Sequence, residues 1–231
     1  MEPVHYNAGC ILPDPNFLRA VRDLATRAGT VLIFDEILSG FRTGIGCAQR
    51  HFGVTPDITL LGKALANGVP ISVIAGKREV MESFSPFGTA AHSGTFSGHL
   101  FGVLAALATP EELAKPGFYD VPTGTLAMAD RLYSGLREVF ARHGIPCSVN
   151  GFGTRFALYF GQEPDFTPRA YQDITGCDTA LLRRFARACF EQQVIFHAYD
   201  VVIGHHGFGQ AHDPAVIDEA LDRIDRACAA L

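Results

Sequence analysis

Three short apolar runs between residues 31 and 75 limit what this chain can fold into: Val31-Leu32-Ile33-Phe34, Ile58-Thr59-Leu60-Leu61 and Ile71-Ser72-Val73-Ile74-Ala75. Each is too short for a buried helix, and the first lacks the strict alternation of a strand with one wet face. Such runs read as strands covered on both faces, as in the parallel sheet of an α/β fold. The segment before the first run supports this. Phe17, Leu18, Val21, Leu24 and Ala25 have three-four spacing, which predicts a helix over 16–27, and Gly29 stands where such helices stop. The runs end in Asp35-Glu36, in Gly62-Lys63 and in Gly76. Ligands collect at the carboxyl ends of strands in open α/β sheets, and two of these three ends carry an ionisable side chain.

The rest of the chain changes character. Small and apolar residues (Gly98, Gly102, Ala105, Ala106, Ala108) predict a tightly packed helix over 97–108, with Pro110 and Pro116 bracketing a loop. Helical patterning resumes over 125–142 and stops near Gly144. A strand over 152–160 follows, then a polar loop containing Pro164 and Pro168, a helix over 179–192, a strand over 194–197, a loop rich in glycine and histidine, and a last helix over 213–230. Asp213 followed by Pro214 is a suitable cap and first-turn pair for that helix. The second half therefore reads as a smaller α+β domain, 111–231, behind a partial α/β domain, 1–110.

Several functions are excluded by composition and spacing. Nineteen Lys plus Arg against 24 Asp plus Glu give a formal charge of −5, so no basic field holds nucleic acid or an anionic membrane surface. No apolar run approaches the roughly 18 residues of a membrane span. The six cysteines form no Cys-x-x-Cys pair and the amino terminus lacks the order of a signal peptide, so reduced thiols in a cytoplasm are expected. Nine histidines show no His-x-x-x-His or His-Glu-x-x-His spacing, and no metal site is expected. Gly62-Lys63 fails as a P-loop because Asp57 and Ala64 stand where glycine and Ser or Thr belong. Gly44-Ile45-Gly46 fails as a dinucleotide fingerprint at Gln49, and Gly94-Thr95-Phe96-Ser97-Gly98 puts its serine one place late for a hydrolase elbow.

What remains is a carboxylate at one strand end and an amine at another. The chain holds only Lys63, Lys77 and Lys115, so amine chemistry has three candidates. Lys63 follows an apolar run and precedes Ala64-Leu65-Ala66-Asn67-Gly68-Val69-Pro70, away from any solvated helix face; a desolvated amine has a lowered pKa suited to Schiff-base formation. Taken alone, Asp35 reads first as a strand-end or capping carboxylate, and Lys63 equally as a surface lysine at a turn.

A run of motifs adds information. Leu32-Ile33-Phe34-Asp35-Glu36-Ile37-Leu38-Ser39-Gly40-Phe41-Arg42, then Phe52-Gly53-Val54-Thr55-Pro56-Asp57-Ile58, Leu61-Gly62-Lys63, Gly68-Val69-Pro70 and Gly94-Thr95-Phe96-Ser97-Gly98 agree in order with the class III aminotransferases. Within that family the chain most resembles the glutamate-1-semialdehyde aminomutase group. The resemblance extends more loosely to Ala211-His212-Asp213 and the last helix. It departs at Asn67, where glycine is usual, and at His99-Leu100, where the family usually has Asn-Pro.

The resemblance implies a fold-type I pyridoxal-phosphate transferase, with 1–110 as part of the large cofactor-binding domain and its parallel-rich sheet, and 111–231 as the small domain. It implies that Lys63 forms a Schiff base with pyridoxal 5'-phosphate and shuttles the proton, and that Asp35 faces the pyridine nitrogen. Ile37 would pack near the ring, and Thr95 would reach the cofactor phosphate of a neighbouring subunit, which implies a dimer. Arg155 and His212 stand as candidates for a substrate carboxylate, with capping or surface roles as the alternative; Arg42 is assigned to structure. Glu2-Pro3-Val4 resembles a segment from the middle of the large domain, so the half preceding it in relatives is not in this chain. The expected activity is amino-group transfer or aminomutation on an amino acid or amino ketone. Racemisation by the same lysine remains open, as does a half-enzyme or non-catalytic subunit completed by a second chain.

Overall fold

The computed structural model describes residues 1–120, 124–197 and 203–231. The chain divides into two compact units, one made of Met1–Pro3 with Pro13–Lys115 and the other of Val4–Leu12 with Pro116–Leu231. The division falls after Lys115, a few residues beyond the position read near 110. That Val4–Leu12 joins the second unit has no local signal, because its anchors are distant in sequence. The Tyr6 hydroxyl donates to the Phe152 carbonyl at 2.7 Å, and the Tyr159 hydroxyl donates to the Gly9 carbonyl.

In the first unit, α1 (Phe17–Ala28) ends at Gly29, which takes the left-handed conformation at φ 62° and closes the helix through its N–H. Strands β1 (Ile33–Asp35), β2 (Ile58–Leu61) and β3 (Val73–Gly76) form a sheet in that order. β1 and β2 are parallel with Asp35 opposite Leu60, whereas β2 and β3 are antiparallel with Leu61 opposite Val73. The sheet is therefore mixed rather than all parallel. Only eleven residues join β2 to β3, fewer than the dozen or so that a parallel crossover needs.

Burial on both faces, expected for the apolar runs, is not found either. The apolar stripe of α1 places Leu18 against Leu32, Phe34 and Val54, flanked by Val21, Ala25 and Phe52. Burying each of these large side chains stabilises the unit by about 1.5–3 kcal/mol. Ile33 points from the opposite face and stays 39% exposed, as does Ile74 on β3.

The short helices α2 (Cys47–Phe52) and α3 (Arg78–Met81) precede α4 (Leu100–Leu113). α4 begins later than the expected residue 97, after Gly98 at φ 69°, and runs through Pro110 instead of stopping there. Pro110 lacks only one donor, so the helix forgoes one bond and closes within a turn, with the Ala114 N–H donating to the Pro110 carbonyl at 2.9 Å.

The second unit is the α+β layer read from the sequence, with a different strand set. The single strand expected over 152–160 is a hairpin, β4 (Cys147–Phe152) and β5 (Arg155–Phe160), turning at Gly153 with φ 61°. Residues 194–197 form no strand. The third strand is β6 (His206–Gly207), antiparallel to β5, inside the glycine- and histidine-rich loop, part of which lies outside the described residues.

Helices α5 (Thr125–Arg142), α6 (Thr179–Glu191) and α7 (Pro214–Cys228) pack on one another and on this sheet. Asp178 and Asp213 cap α6 and α7 by accepting from the N–H groups of Leu181 and Val216. Phe140, Phe160 and Phe185 meet edge to face or tilted at centroid distances of 5.1–5.5 Å in the core. Among the described residues no helix is long and apolar enough to cross a membrane.

Candidate active site

Parallel pairing of β1 with β2 puts their carboxyl ends on one edge of the sheet. Asp35 is the last residue of β1, and Lys63 lies three residues beyond its partner Leu60. Adjacent strands are about 4.8 Å apart, so the two ionisable side chains share one edge. Asp35 is half-buried and its Oδ1 accepts the N–H of Ile37 at 3.0 Å. Among the described residues Oδ2 has no protein partner. Ile37 bridges the two strand ends: a Cβ on Gly62 would lie 3.5 Å from its Cγ2.

Lys63 starts a 310 turn, Lys63–Ala66, in the left-handed region at φ 45°. That conformation is uncommon for a residue with a side chain and recurs at functional sites. Lys77 pairs with Asp57 at 2.7 Å and Lys115 pairs with Glu112 at 2.6 Å. Lys63 Nζ alone of the three has no ion-pair or hydrogen-bond partner among the described residues. The burial expected of Lys63 is not found. The turn buries Leu65 and Ala66 instead, with α4 packed against it, and turns Lys63 outward.

Two carboxylates that the sequence did not single out anchor the sheet, Glu36 at this edge and Asp57 at the opposite, amino end of β2. Glu36 is fully buried; Oε2 accepts the Ala48 N–H at 2.7 Å and the Ser39 hydroxyl at 3.1 Å, and Oε1 accepts the Gln49 N–H at 3.0 Å. Burial pushes its carboxyl above the ordinary range, and those donors pull it part of the way back. Burial, and then the nearby Glu36, push the Cys47 thiol up to about 11, which makes it a poor nucleophile. Asp57 accepts from Arg22 and from the Leu32 N–H, and pairs with Lys77, each at 2.7 Å. Burial alone would raise its carboxyl, but Lys77, the Leu32 N–H and Arg22 outweigh burial and hold it well below the usual range. The sequence signal for Asp57 is its place one residue before β2. For Glu36 there was none beyond adjacency to Asp35, because its partners come from a loop that folds back.

Thr95 lies elsewhere in the unit, exposed in the loop before α4. It lines a cleft of about 1050 Å³ with Ile71, Val73, Phe84, Phe96 and Val103, and neither Lys63 nor Asp35 is among its walls. Asp35, Ile37 and Lys63 are thus brought together, while Thr95 is not brought to them.

Arg155 and His212 belong to the second unit. His212 is exposed and its Nδ1 meets Gly209 in a local turn, and Arg155 Nε is buried with no hydrogen-bond partner. Arg42 Nε donates to the Leu38 carbonyl at 3.4 Å. No group of three or more His, Cys, Asp or Glu side chains among the described residues could hold a metal ion.

Fold and site together define an α/β protein with an unpaired amine at the carboxyl edge of its sheet. The sequence matches the aminotransferase class-III family over residues 1–194, and the chain belongs to that family. Solved structures agree. An omega-transaminase from Sphaerobacter thermophilus matches with a TM-score of 0.87 at 26% identity, over 99% of this chain and 50% of that one. A beta-phenylalanine aminotransferase from Variovorax paradoxus matches with a TM-score of 0.80 at 27% identity, over 97% and 50%. A glutamate-1-semialdehyde aminomutase from Pseudomonas aeruginosa PAO1 shares the fold, with a TM-score of 0.82 at 21% identity, over 100% and 51%. The architecture is that of part of a fold-type I transferase, and the chain spans about half the length of these proteins.

Proposed function

We propose that this chain carries the lysine and the ring-nitrogen carboxylate of a pyridoxal-phosphate-dependent amino-group transfer, as an aminotransferase or aminomutase acting on an amino acid or amino ketone. The observation that carries this reading is Lys63, an unpaired amine held at positive φ on the same sheet edge as Asp35, in a member of the class-III family. The residues present fit the cofactor: a free amine, a carboxylate with one unused oxygen, and an apolar side chain between them. When bound, the cofactor supplies an electron sink for negative charge developing at the substrate carbon.

Lys63 would hold the cofactor through Nζ, and its free amine would take and return a proton at the substrate carbon. Asp35 Oδ2 would face the cofactor's ring nitrogen and favour its protonated form, while Oδ1 is steadied by the Ile37 N–H. Ile37 offers an apolar wall beside Gly62 that keeps water from the ring. Thr95 supplies a hydroxyl for the phosphate of a second subunit's site, a reading supported by its exposure and its separation from the Lys63 edge.

A shared site requires a partner, and the surface of α4 supports one. Leu100, Phe101, Leu104 and Leu107 are 65%, 69%, 52% and 62% exposed, an apolar face large enough to favour protein contact. We assign it to a homodimer or to completion by a second chain. Six free, buried thiols fit the reducing cytoplasm read from the sequence.

The test is a half-reaction. Protein loaded with pyridoxal phosphate and given a panel of amino donors should release the matching oxo product, and Lys63→Ala should lower the rate roughly 10²–10⁴-fold. Absence of cofactor uptake by the assembled protein, with any partner chain supplied, contradicts the reading.

A further inference from the structure

We infer that Glu36 is a positioning residue that keeps Asp35 aimed at the cofactor, a role that rests on the reading of Asp35 and Lys63 above. Its contacts converge on one point. The backbone N–H of Glu36 donates to the Leu60 carbonyl at 2.9 Å, tying the end of β1 to β2 three residues before Lys63. Its carbonyl accepts the Gly40 N–H at 2.8 Å, which closes the turn that carries Ile37. Its carboxylate accepts the Ser39 hydroxyl and the first-turn N–H groups of α2, so strand, turn and helix all meet at the residue next to Asp35.

Helix capping alone does not require this arrangement. A short Ser, Asn or Asp at the N-cap of α2 would satisfy its first turn locally, whereas here a distant, fully buried carboxylate without a cation does so. Three donors on two oxygens match a carboxylate, and a glutamine offers one acceptor oxygen and an NH2 group that meets donors. The loop held in this way takes uncommon backbone conformations, which persist only where partners fix them: Gly44 lies at φ 151°, and Phe41 and Cys47 lie at φ 62° and 59°. Without the Glu36 anchor, the Asp35 to Ile37 turn has no tie to α2. The Asp35 carboxylate would then sample orientations away from the ring nitrogen.

The experiment compares the wild type with Glu36→Gln, Ser39→Ala, Asp35→Asn and Asp57→Asn, each checked for folding by circular dichroism. Amide hydrogen exchange is measured without cofactor, and the pH midpoint of the cofactor absorbance is measured on loaded protein. Glu36→Gln should speed exchange at the Ile37 amide, which reports the hold on Asp35 Oδ1, roughly tenfold. It should also move the absorbance midpoint by about one pH unit in the direction of Asp35→Asn. Ser39→Ala should do the same to a smaller extent, and serves if Glu36→Gln does not fold. Asp57→Asn destabilises the same unit and should leave the midpoint where it was.

An unmoved Ile37 exchange rate in the folded Glu36 or Ser39 variants overturns the inference. So does a midpoint that follows stability alone, moving in Asp57→Asn as much as in Glu36→Gln. If the wild type takes up no cofactor, the functional reading fails, and the exchange measurement still decides whether Glu36 holds Asp35.

Discussion

Asp57 and His206 show how single groups make the two units respond to acid. Asp57 is held below the ordinary carboxylate range by Lys77, the Leu32 N–H and Arg22 against the pull of burial, so its folded form binds protons less readily than the unfolded chain. Its stabilising contribution is complete above about pH 4 and is lost as pH falls through the lowered value. Asp57→Asn should lower the first unit's stability at pH 7 by about 1–3 kcal/mol and flatten its stability below pH 4, checked by urea unfolding at stepped pH.

His206 is pushed down to about 3 by burial first, then by His197 and His205. The unfolded chain protonates near pH 6.5, so the second unit loses stability as pH falls from there to about 3, at about 1.4 kcal/mol per pH unit. His206→Phe should remove that slope. A slope unchanged in the variant contradicts the assignment.

Elements whose pattern is local were legible in the sequence. The three-four spacing and Gly29 fixed α1 to within a residue at each end, and the Asp213-Pro214 pair located α7. Elements that depend on distant partners were not. β4 contains Ser148, Asn150 and Gly151, so no apolar run marks it, and its strand character comes from pairing with β5. β6 is only two residues long and exists because β5 offers an edge. At the site, Asp35 and Lys63 were legible because they end apolar runs, while Glu36 was not, since Ala48 and Gln49 reach it only after a loop of glycines has folded back. That loop is tight where it meets the strands. A Cβ on Gly40 would lie 2.6 Å from the Glu36 carbonyl oxygen and 3.2 Å from Leu61 Cδ2. Gly40→Ala should therefore cost about 1–3 kcal/mol by thermal unfolding.

At the scale of the whole molecule, the first unit leaves much apolar surface uncovered. Runs that read as strands buried on both faces are covered on one, and α4 exposes a row of large side chains. On the proposed reading, a second copy or a second chain supplies the cover that these side chains lack. Sizing by sedimentation should give a dimer or a complex with a second chain, and Leu104→Lys with Leu107→Lys should dissociate it while leaving the helical signal intact. A monodisperse monomer of the unmodified chain at micromolar concentration would contradict that account of α4.

Of the three lysines, Lys63 is the one proposed to bear the cofactor. Borohydride reduction of protein loaded with pyridoxal phosphate, followed by digestion and peptide mass mapping, tests it directly. The reduced pyridoxyl group is expected on Lys63 and not on Lys77 or Lys115, which are held by Asp57 and Glu112. A label on either of those lysines with Lys63 unmodified, or an even scatter over all three, would contradict it.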